Sequence, residues 1–317
     1  MNAAIRGRGL LVLILALAFC SLLATAQDMA VLASFKGTVL VRRESGQTQR
    51  ATGKERLFPG DEVRTNADGS ASIMYYTGKE VHLSANQKHL LAKEVREEGF
   101  LSRLGKAFSN LLWSKEPPKS VLGATRSFGA VKRITGITPC YTVPRDSVIK
   151  FTWSDSKAET GSRYVVSILN SEGTVVKSAT VKDTDEMTVP LSSLQPLTEK
   201  QVLRWHVLAM KAGQVSEEIS FSVLSDSEMR QLRQDLVKIA DLCSGDTTAY
   251  RRPLLEAMLY VDRGLFTAAE VSLMKVVQEK PNLAIGHELL GDVYAKIGKA
   301  ELALAEKKLA QTLSAPE

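Results

Sequence analysis

Alternating apolar and polar residues fill the first part of the chain, and turn sequences such as Pro59-Gly60-Asp61 separate the alternating runs. A period of two predicts strands with one buried face, and Gly and Asp favour the turns between them. The side chains expected to share the buried face are Val39 and Val41, Val63 and Thr65, Ile73 and Tyr75, and Val81 and Leu83. These segments predict a small all-β sandwich or jelly roll.

A second β-rich region covers residues 136–224. Its strands are predicted at Ser147–Trp153, Arg163–Leu169, Val175–Val181, Thr188–Pro190, Val202–Met210 and Glu218–Val223. Alternation places Trp153 and Trp205 in one shared core. A sugar-stacking platform formed by these two tryptophans is the alternative.

Helical periodicity dominates the chain after residue 224. Ser225 and Glu228 have the spacing of a capping box, and the apolar stripe of the helix that follows ends near Gly245. Beyond that helix, five pairs of residues recur at an offset of 34: Ala257 and Gly291, Tyr260 and Tyr294, Gly264 and Gly298, Ala269 and Ala303, and Val276 and Ala310. Such a period predicts stacked helix pairs.

The segment between the two β-regions carries a local positive charge. Between Gly99 and Thr135 there are seven Lys or Arg and one acidic residue, and residues 100–113 repeat apolar side chains at helical spacing. This basic amphipathic helix is expected to pack on a neighbouring module. Contact with an anionic lipid or polymer surface through Arg103, Lys106, Lys132 and Arg133 is the alternative.

Residues 1–26 have the form of a signal peptide: Arg6 and Arg8 precede an apolar run, and small residues precede Gln27. Cleavage would leave the protein in the periplasm or outside the cell, whereas an uncleaved leader would anchor it. Cys140 and Cys243 could then form a disulfide, although burial as free thiols is favoured. The four histidines lack ligand spacing, so no metal and no cofactor are predicted.

Three resemblances follow from these motifs. Asp61, Thr65, Asp68 and Gly69 stand as GD-x-x-x-T-x-x-D-G between GTVLVRR and TGKEV, which resembles the periplasmic FecR domain. The 34-residue copies, with Leu290, Gly291, Tyr294 and Ala303 in the second, resemble tetratricopeptide repeats, and residues 136–224 resemble an immunoglobulin or fibronectin type III sandwich. Asp61 and Asp68 are expected to form turns rather than to bind calcium.

The predicted organisation is multidomain, with each module closing its own core. It consists of a signal peptide (1–26), a FecR-like β-domain (27–98), a basic helix and linker (99–135), an Ig-like sandwich (136–224) and an all-α tetratricopeptide-like domain (225–317, repeats about 250–283 and 284–317).

Neither nucleophile motifs nor phosphate-binding loops stand out, so a non-enzymatic interaction scaffold of the periplasm or cell envelope is favoured. The tetratricopeptide resemblance implies a protein or peptide partner, received by exposed Asp262, Arg263, His287 and Asp292. A FecR-like regulator retained by its leader and an envelope-glycan binder are the alternatives. Nucleic acid is not expected as a partner, because the chain outside residues 99–135 is nearly neutral.

Overall fold

The computed structural model describes residues 28–92, 99–113, 134–194 and 201–314. Residues 28–92 form an antiparallel sandwich of two four-stranded sheets, ordered β4-β1-β6-β7 and β3-β2-β5-β8. Its strands are β1 (Ala30–Lys36), β2 (Val39–Arg42), β3 (Thr48–Arg50), β4 (Glu55–Leu57), β5 (Glu62–Thr65), β6 (Ser70–Tyr75), β7 (Glu80–Leu83) and β8 (Lys88–Leu90). The residues predicted to share a face do enclose its core, with Tyr75 and Val81 at the margin.

The central strands of one sheet, β1 and β6, are buried on both faces. Ala30 and Leu32 of β1 point into the sandwich, whereas Val31 belongs to a second core that also contains Met74 and Tyr76. A half-solvated antiparallel sheet would show polar residues at these outer positions. The outer face of β1 and β6 therefore needs a cover, and helices supply it.

Residues 134–223 form the second sandwich, which begins inside the range assigned to the linker. Its strands are β9 (Ile134–Thr138), β10 (Thr142–Val143), β11 (Val148–Asp155), β12 (Arg163–Leu169), β13 (Val175–Lys182), β14 (Glu186–Pro190), β15 (Val202–Ala209), β16 (Gln214–Val215) and β17 (Ile219–Val223). One sheet has the order β14-β11-β9, the other β10-β17-β15-β12-β13, with β16 paired to β15. This is an Ig-like β-sandwich.

Both tryptophans of this sandwich lie in its core. Trp205 is fully buried, donates its indole N–H to the Pro139 carbonyl at 2.8 Å, and meets Phe151 edge to face. Trp153 is 1% exposed. Neither offers a ring to solvent, so the sugar-stacking alternative is wrong for these residues.

Besides a 3-10 turn at Leu191–Leu194, six α-helices are described: α1 (Phe100–Trp113), α2 (Asp226–Leu242), α3 (Arg251–Asp262), α4 (Phe266–Glu279), α5 (Ala284–Lys296) and α6 (Ala300–Ser314). The predicted capping box opens α2: the Glu228 N–H donates to the Ser225 hydroxyl at 3.2 Å, and the Ser225 N–H donates to the Glu228 carboxylate at 2.8 Å.

The 34-residue period of the sequence recurs in the helix pairs α3–α4 and α5–α6. Gly264 and Gly298 both take positive φ in the connecting turns, at 71° and 79°. In each turn the residue after the glycine donates to the carbonyl of the equivalent tyrosine, Tyr260 or Tyr294, at 2.8 Å. At Gly291, a Cβ atom would lie 3.1 Å from the Ala303 carbonyl oxygen, so the small side chain permits the close approach of α5 and α6.

The modules do not all close separate cores, contrary to the expectation from sequence. One apolar cluster combines Val31, Met74 and Tyr76 of the first sandwich with Leu104 and Phe108 of α1 and with side chains of α2 to α6. The inward-facing residues of each sandwich form a separate cluster, and the first sandwich also contributes outward-facing residues to the cluster that it shares with the helices. The first sandwich, α1 and the later helices therefore form one folded body.

Candidate functional site

The FecR-like motif serves the fold of the first sandwich. Asp61 is 2% exposed and accepts hydrogen bonds from the Phe58 N–H at 2.9 Å and the Arg43 guanidinium at 2.8 Å. Thr65 donates to the Ser84 carbonyl, and Asp68 accepts from the Thr38 hydroxyl at 3.0 Å. The two aspartates thus hold turns, as predicted.

Helix α1 lies on the first helix of each pair, contacting both α3 and α5. Leu104, Phe108 and Leu112 recur every four residues and are all buried. We call the surface of α2, α3 and α5 that faces α1 the groove. Stacked helix pairs can present an extended binding surface, and an amphipathic helix can lay its apolar face into a hydrophobic groove. In this chain the groove is occupied by the chain's own amphipathic helix.

A cluster of ion pairs holds the N-terminal end of α1 in the groove. The Arg103 guanidinium lies 2.6 Å from Asp235 of α2 and 3.3 Å from Asp262 of α3. Arg263 donates to the same Asp235 oxygen at 2.9 Å, and Lys238 lies 3.1 Å from the other oxygen. Three residues predicted for partner or surface contact, Arg103, Asp262 and Arg263, thus meet one another.

The pKa values of the two carboxylates in this cluster, Asp235 and Asp262, are shifted in opposite directions. Burial of Asp235 favours its neutral form, but hydrogen bonds from Lys238, Gln231 and Arg103 outweigh that effect and lower its pKa. Burial raises the pKa of Asp262, against the charges of Arg103 and Arg263. Asp235 is therefore the firm anchor for Arg103, and Asp262 is the weaker one.

The C-terminal end of α1 is held by the first sandwich. Buried Asp28 accepts hydrogen bonds from the Ser109 hydroxyl of α1 at 2.8 Å and from the Tyr76 hydroxyl at 2.6 Å. The Trp113 ring lies 4.7 Å from the Lys54 ammonium and 5.0 Å from the Arg56 guanidinium carbon, within the range of cation–π attraction. Helix α1 is consequently clamped at both ends.

A second polar cluster joins the first sandwich directly to the helices. Glu80 of β7 is bonded to Lys280 and accepts from the Tyr250 hydroxyl at 2.8 Å and the Ser72 hydroxyl at 2.6 Å. Burial opposes the charge on Glu80, but the bonds from Lys280, Ser72 and Tyr250 prevail and lower its pKa. His82 lies 3.4 Å away from the same carboxylate.

Two of the predicted partner residues lie elsewhere, between α5 and α6. His287 is 6% exposed; its ring nitrogens lie 2.6 Å from Glu306 and 2.7 Å from the Pro281 carbonyl. Asp292 pairs with Lys307 at 2.6 Å. The expectation that His287 is exposed for a partner is wrong, because its side chain is buried and its ring nitrogens bond to Glu306 of α6 and to the Pro281 carbonyl.

The predicted anionic-surface contacts have different outcomes. Arg103 pairs with Asp235 and Asp262, while 43% of its side chain stays exposed. Lys106 is exposed on the outer side of α1. Lys132 and Arg133 lie outside the described residues.

The key residues missed by sequence reasoning are Asp235, Asp28 and Glu80. A signal for Asp235 was present: it stands three residues after Leu232 and four before Ile239, on the apolar stripe of α2. A carboxylate at such a position predicts a buried partner. Asp28 and Glu80 carry no comparable local signal, because their partners lie far away in the chain.

One cleft lies on the second sandwich. It encloses about 730 Å³ and is lined by Trp153, Tyr164, Asp155, Asp183 and Asp185 among others. Asp155 accepts from the Tyr164 hydroxyl at 3.0 Å, and Asp183 accepts from the Gly161 N–H. Within the described ranges, no three His, Cys, Asp or Glu side chains are arranged to hold a metal ion.

Both cysteines of the described residues are free, as the sequence favoured. Burial raises the pKa of Cys140 to about 12, which disfavours its reactive thiolate. Across the residues with described structure, none of the helices has the length and apolar character needed to cross a membrane.

No family model and no curated protein matches the chain. Solved structures with some similarity are the BSP domain of a biofilm-associated protein (11% identity, 63% of this chain, 28% of the other, TM-score 0.21) and the FN1–FN3 domains of chicken CNTN1 (10%, 63%, 56%, 0.23). The adhesin domain of Epf from Streptococcus pyogenes is 13% identical over 63% of this chain and 69% of the other, with a TM-score of 0.25. TM-scores this low carry no argument, so the fold assignment rests on strand order and register.

Proposed function

We propose that this protein is a non-enzymatic, exported interaction scaffold of the bacterial periplasm or cell envelope. In this proposal it combines a FecR-like domain, an Ig-like domain and tetratricopeptide-like helix pairs, and the groove receives a protein partner. The observation that carries the proposal is the occupied groove. It holds a 14-residue amphipathic helix by three buried apolar side chains and an arginine paired with two carboxylates, which are the contacts of helix-in-groove recognition.

The rigid mounting of the modules supports the same proposal. Glu80 links the first sandwich to Lys280 and Tyr250, and the Thr142 N–H at the edge of the second sandwich donates to the Gly264 carbonyl at 3.2 Å. A Cβ atom on Gly298, the equivalent turn glycine, would lie 2.9 Å from Ile137 of β9. Such junctions would hold binding surfaces at defined positions relative to one another.

Photocrosslinking in intact cells tests this function. A photoreactive amino acid at position 262, at the rim of the groove, should give crosslinks to an envelope protein. The same residue at exposed position 180 on β13 serves as the control. Crosslinks of equal yield at both positions, or none at position 262, would remove the groove from the proposal.

The FecR-like regulator stays the alternative. It requires residues 1–26 to be retained as an anchor, so the intact mass of the protein purified from the cell envelope distinguishes the two functions.

A further inference from the structure

Helix α1 is a weak helix by its own sequence. Gly105 lies near its middle, Ser102, Ser109 and Asn110 are poor helix formers, and its first turn has no acidic residue. An isolated helix of this length is marginal in water even with good formers. Its helical state therefore depends on docking into the groove.

The contacts of α1 have a definite pattern. Arg103 provides the charge for Asp235 and Asp262, and Leu104, Phe108 and Leu112 follow at intervals of four residues on the buried side. The exposed side carries Lys106 and Asn110. The pattern R-L-x-x-x-F-x-x-x-L thus holds the apolar and charged elements that the groove recognises.

The seat of α1 is not completely filled. A small apolar cavity lies between Ala107, Phe108 and Leu111 of α1 and Met258, Val261 and Leu289 of the groove helices, among other side chains. Interiors are normally packed with few voids. The cavity has room for about one water molecule, and the side chains that line it make fewer contacts on that side.

We propose that α1 is an internal ligand of the groove, and that the groove accepts in its place a partner helix with the same basic amphipathic pattern. The inference rests on the proposed function and adds its regulation: a partner must displace α1, so α1 keeps the groove closed to weaker ligands. The partner helix presents an arginine to Asp235 and Asp262. It also presents apolar side chains one, five and nine residues after that arginine.

The test uses the full chain and a fluorescent peptide of residues 99–113. The wild-type protein should bind the peptide weakly, because its own α1 competes. Arg103→Glu, which places a third acid beside Asp235 and Asp262, should release α1 and raise the affinity for the wild-type peptide at least tenfold by fluorescence anisotropy. Lys106→Glu makes the same charge change on the exposed side and should leave the affinity as in the wild type.

A peptide of residues 99–113 that carries Arg103→Glu should bind none of the three proteins. Equal, weak binding of the wild-type peptide to all three proteins would overturn the proposal, as would equal binding of both peptides. Binding of the released α1 to phosphatidylglycerol vesicles, without any gain in peptide binding, would also overturn it and indicate a lipid-directed helix.

Hydrogen exchange of the wild-type chain keeps the test valid if Arg103→Glu does not fold. The amides of α1 should exchange at least tenfold faster than those of α3 and α5, and excess wild-type peptide should increase exchange in α1 alone. Exchange of α1 at the rate of α3 and α5 would make α1 a permanent part of the core.

The two proposals can fail independently. Peptide exchange without any partner crosslinked at position 262 would leave α1 as an internal ligand and remove the scaffold function. Partner crosslinks at position 262 with no exchange of α1 would do the reverse.

Discussion

The two sandwiches of this protein solve the same burial problem in different ways. In the Ig-like sandwich, Phe151, Trp205 and Phe221 meet in a core enclosed between its own two sheets. In the first sandwich, β1 and β6 also carry apolar side chains outward, and these join one cluster with α1 and the later helices, in which the Tyr76 and Phe108 rings lie 5.0 Å apart. The comparison shows that one sandwich buries its apolar side chains between its own sheets, whereas the other also buries an outer apolar face against helices.

Excision of each sandwich is expected to give the largest contrast. Residues 134–224 should unfold cooperatively on their own, whereas residues 28–92 should not, because Val31, Met74 and Tyr76 would lose their cover. Urea titration followed by far-UV circular dichroism measures both. A sigmoidal transition for residues 28–92 would break the comparison.

Truncation of one phenylalanine in the shared core, or of one in the Ig-like sandwich, should lower the free energy of unfolding by about 3–5 kcal/mol. Phe108→Ala should destabilise the first sandwich and the helices together, since the side chain lies in their shared core. Phe151→Ala is the matched control and should destabilise only the Ig-like sandwich. Hydrogen exchange resolved by region shows which part opens. Unchanged hydrogen exchange in the first sandwich of Phe108→Ala would contradict the shared core.

Neutralisation of the polar link should have a smaller effect. Glu80→Gln leaves Lys280 without its counter-charge and weakens the bond from Tyr250, at an expected cost of about 1–3 kcal/mol. Glu186→Gln removes an exposed pair with Lys150 in the Ig-like sandwich and should cost less than about 1 kcal/mol. Urea denaturation of the full chain compares the two. Equal costs would mean that Glu80 is no better protected from water than a surface charge.

Acidification should weaken the first sandwich and the helices, because it protonates the carboxylates of Glu80 and Asp235. The pKa values of Glu80 and Asp235 lie below the ordinary values of 4.5 and 3.8, so their stabilisation is complete above those values and is lost as the pH falls through the lowered ones. The raised pKa of Asp262 acts in the opposite sense, because its protonation is easier in the folded protein.

Thermal unfolding between about pH 5 and pH 3 measures this dependence. In Glu80→Gln the fall in midpoint should be shallower than in the wild type. An unchanged slope would assign the acid sensitivity to other groups.

The smallest effect concerns the contact between the Ig-like sandwich and the helices. Gly264→Ala places a side chain at φ 71° and 3.0 Å from the Thr142 hydroxyl, whereas Gly245→Ala has a similar φ of 80° and no atom within 4 Å. Both should pay about 1–2 kcal/mol for the left-handed backbone. Any additional loss in Gly264→Ala reports the junction with the Ig-like sandwich, and equal losses would show that the junction adapts freely.

Much of the architecture was predictable from local pattern. Alternation placed Trp153 and Trp205 in one core, and the capping box at Ser225 opened α2 where expected. The recurrence at 34 residues marked the turn glycines Gly264 and Gly298. These features depend on neighbouring residues and on the period of the chain, which a sequence displays directly.

The candidate site was only partly predictable. Arg103, Asp262 and Arg263 were each selected for a partner, yet they bond to one another and to Asp235. Arg103 and Asp235 are separated by 132 residues, so no local pattern relates them. The basic charge of α1 suggested an external anion, whereas the acids it meets belong to the same chain.

Strand alternation, helix periodicity and turn chemistry are thus encoded locally, and they specify which elements this protein contains. The placement of α1 in the groove and the merging of the first sandwich with the helices came only from the three-dimensional arrangement. The physical reason is that burial depends on which apolar faces meet. The outer side chains of β1 and β6 and the inner stripe of α1 are each incomplete alone, and contacts between distant segments decide how they are covered.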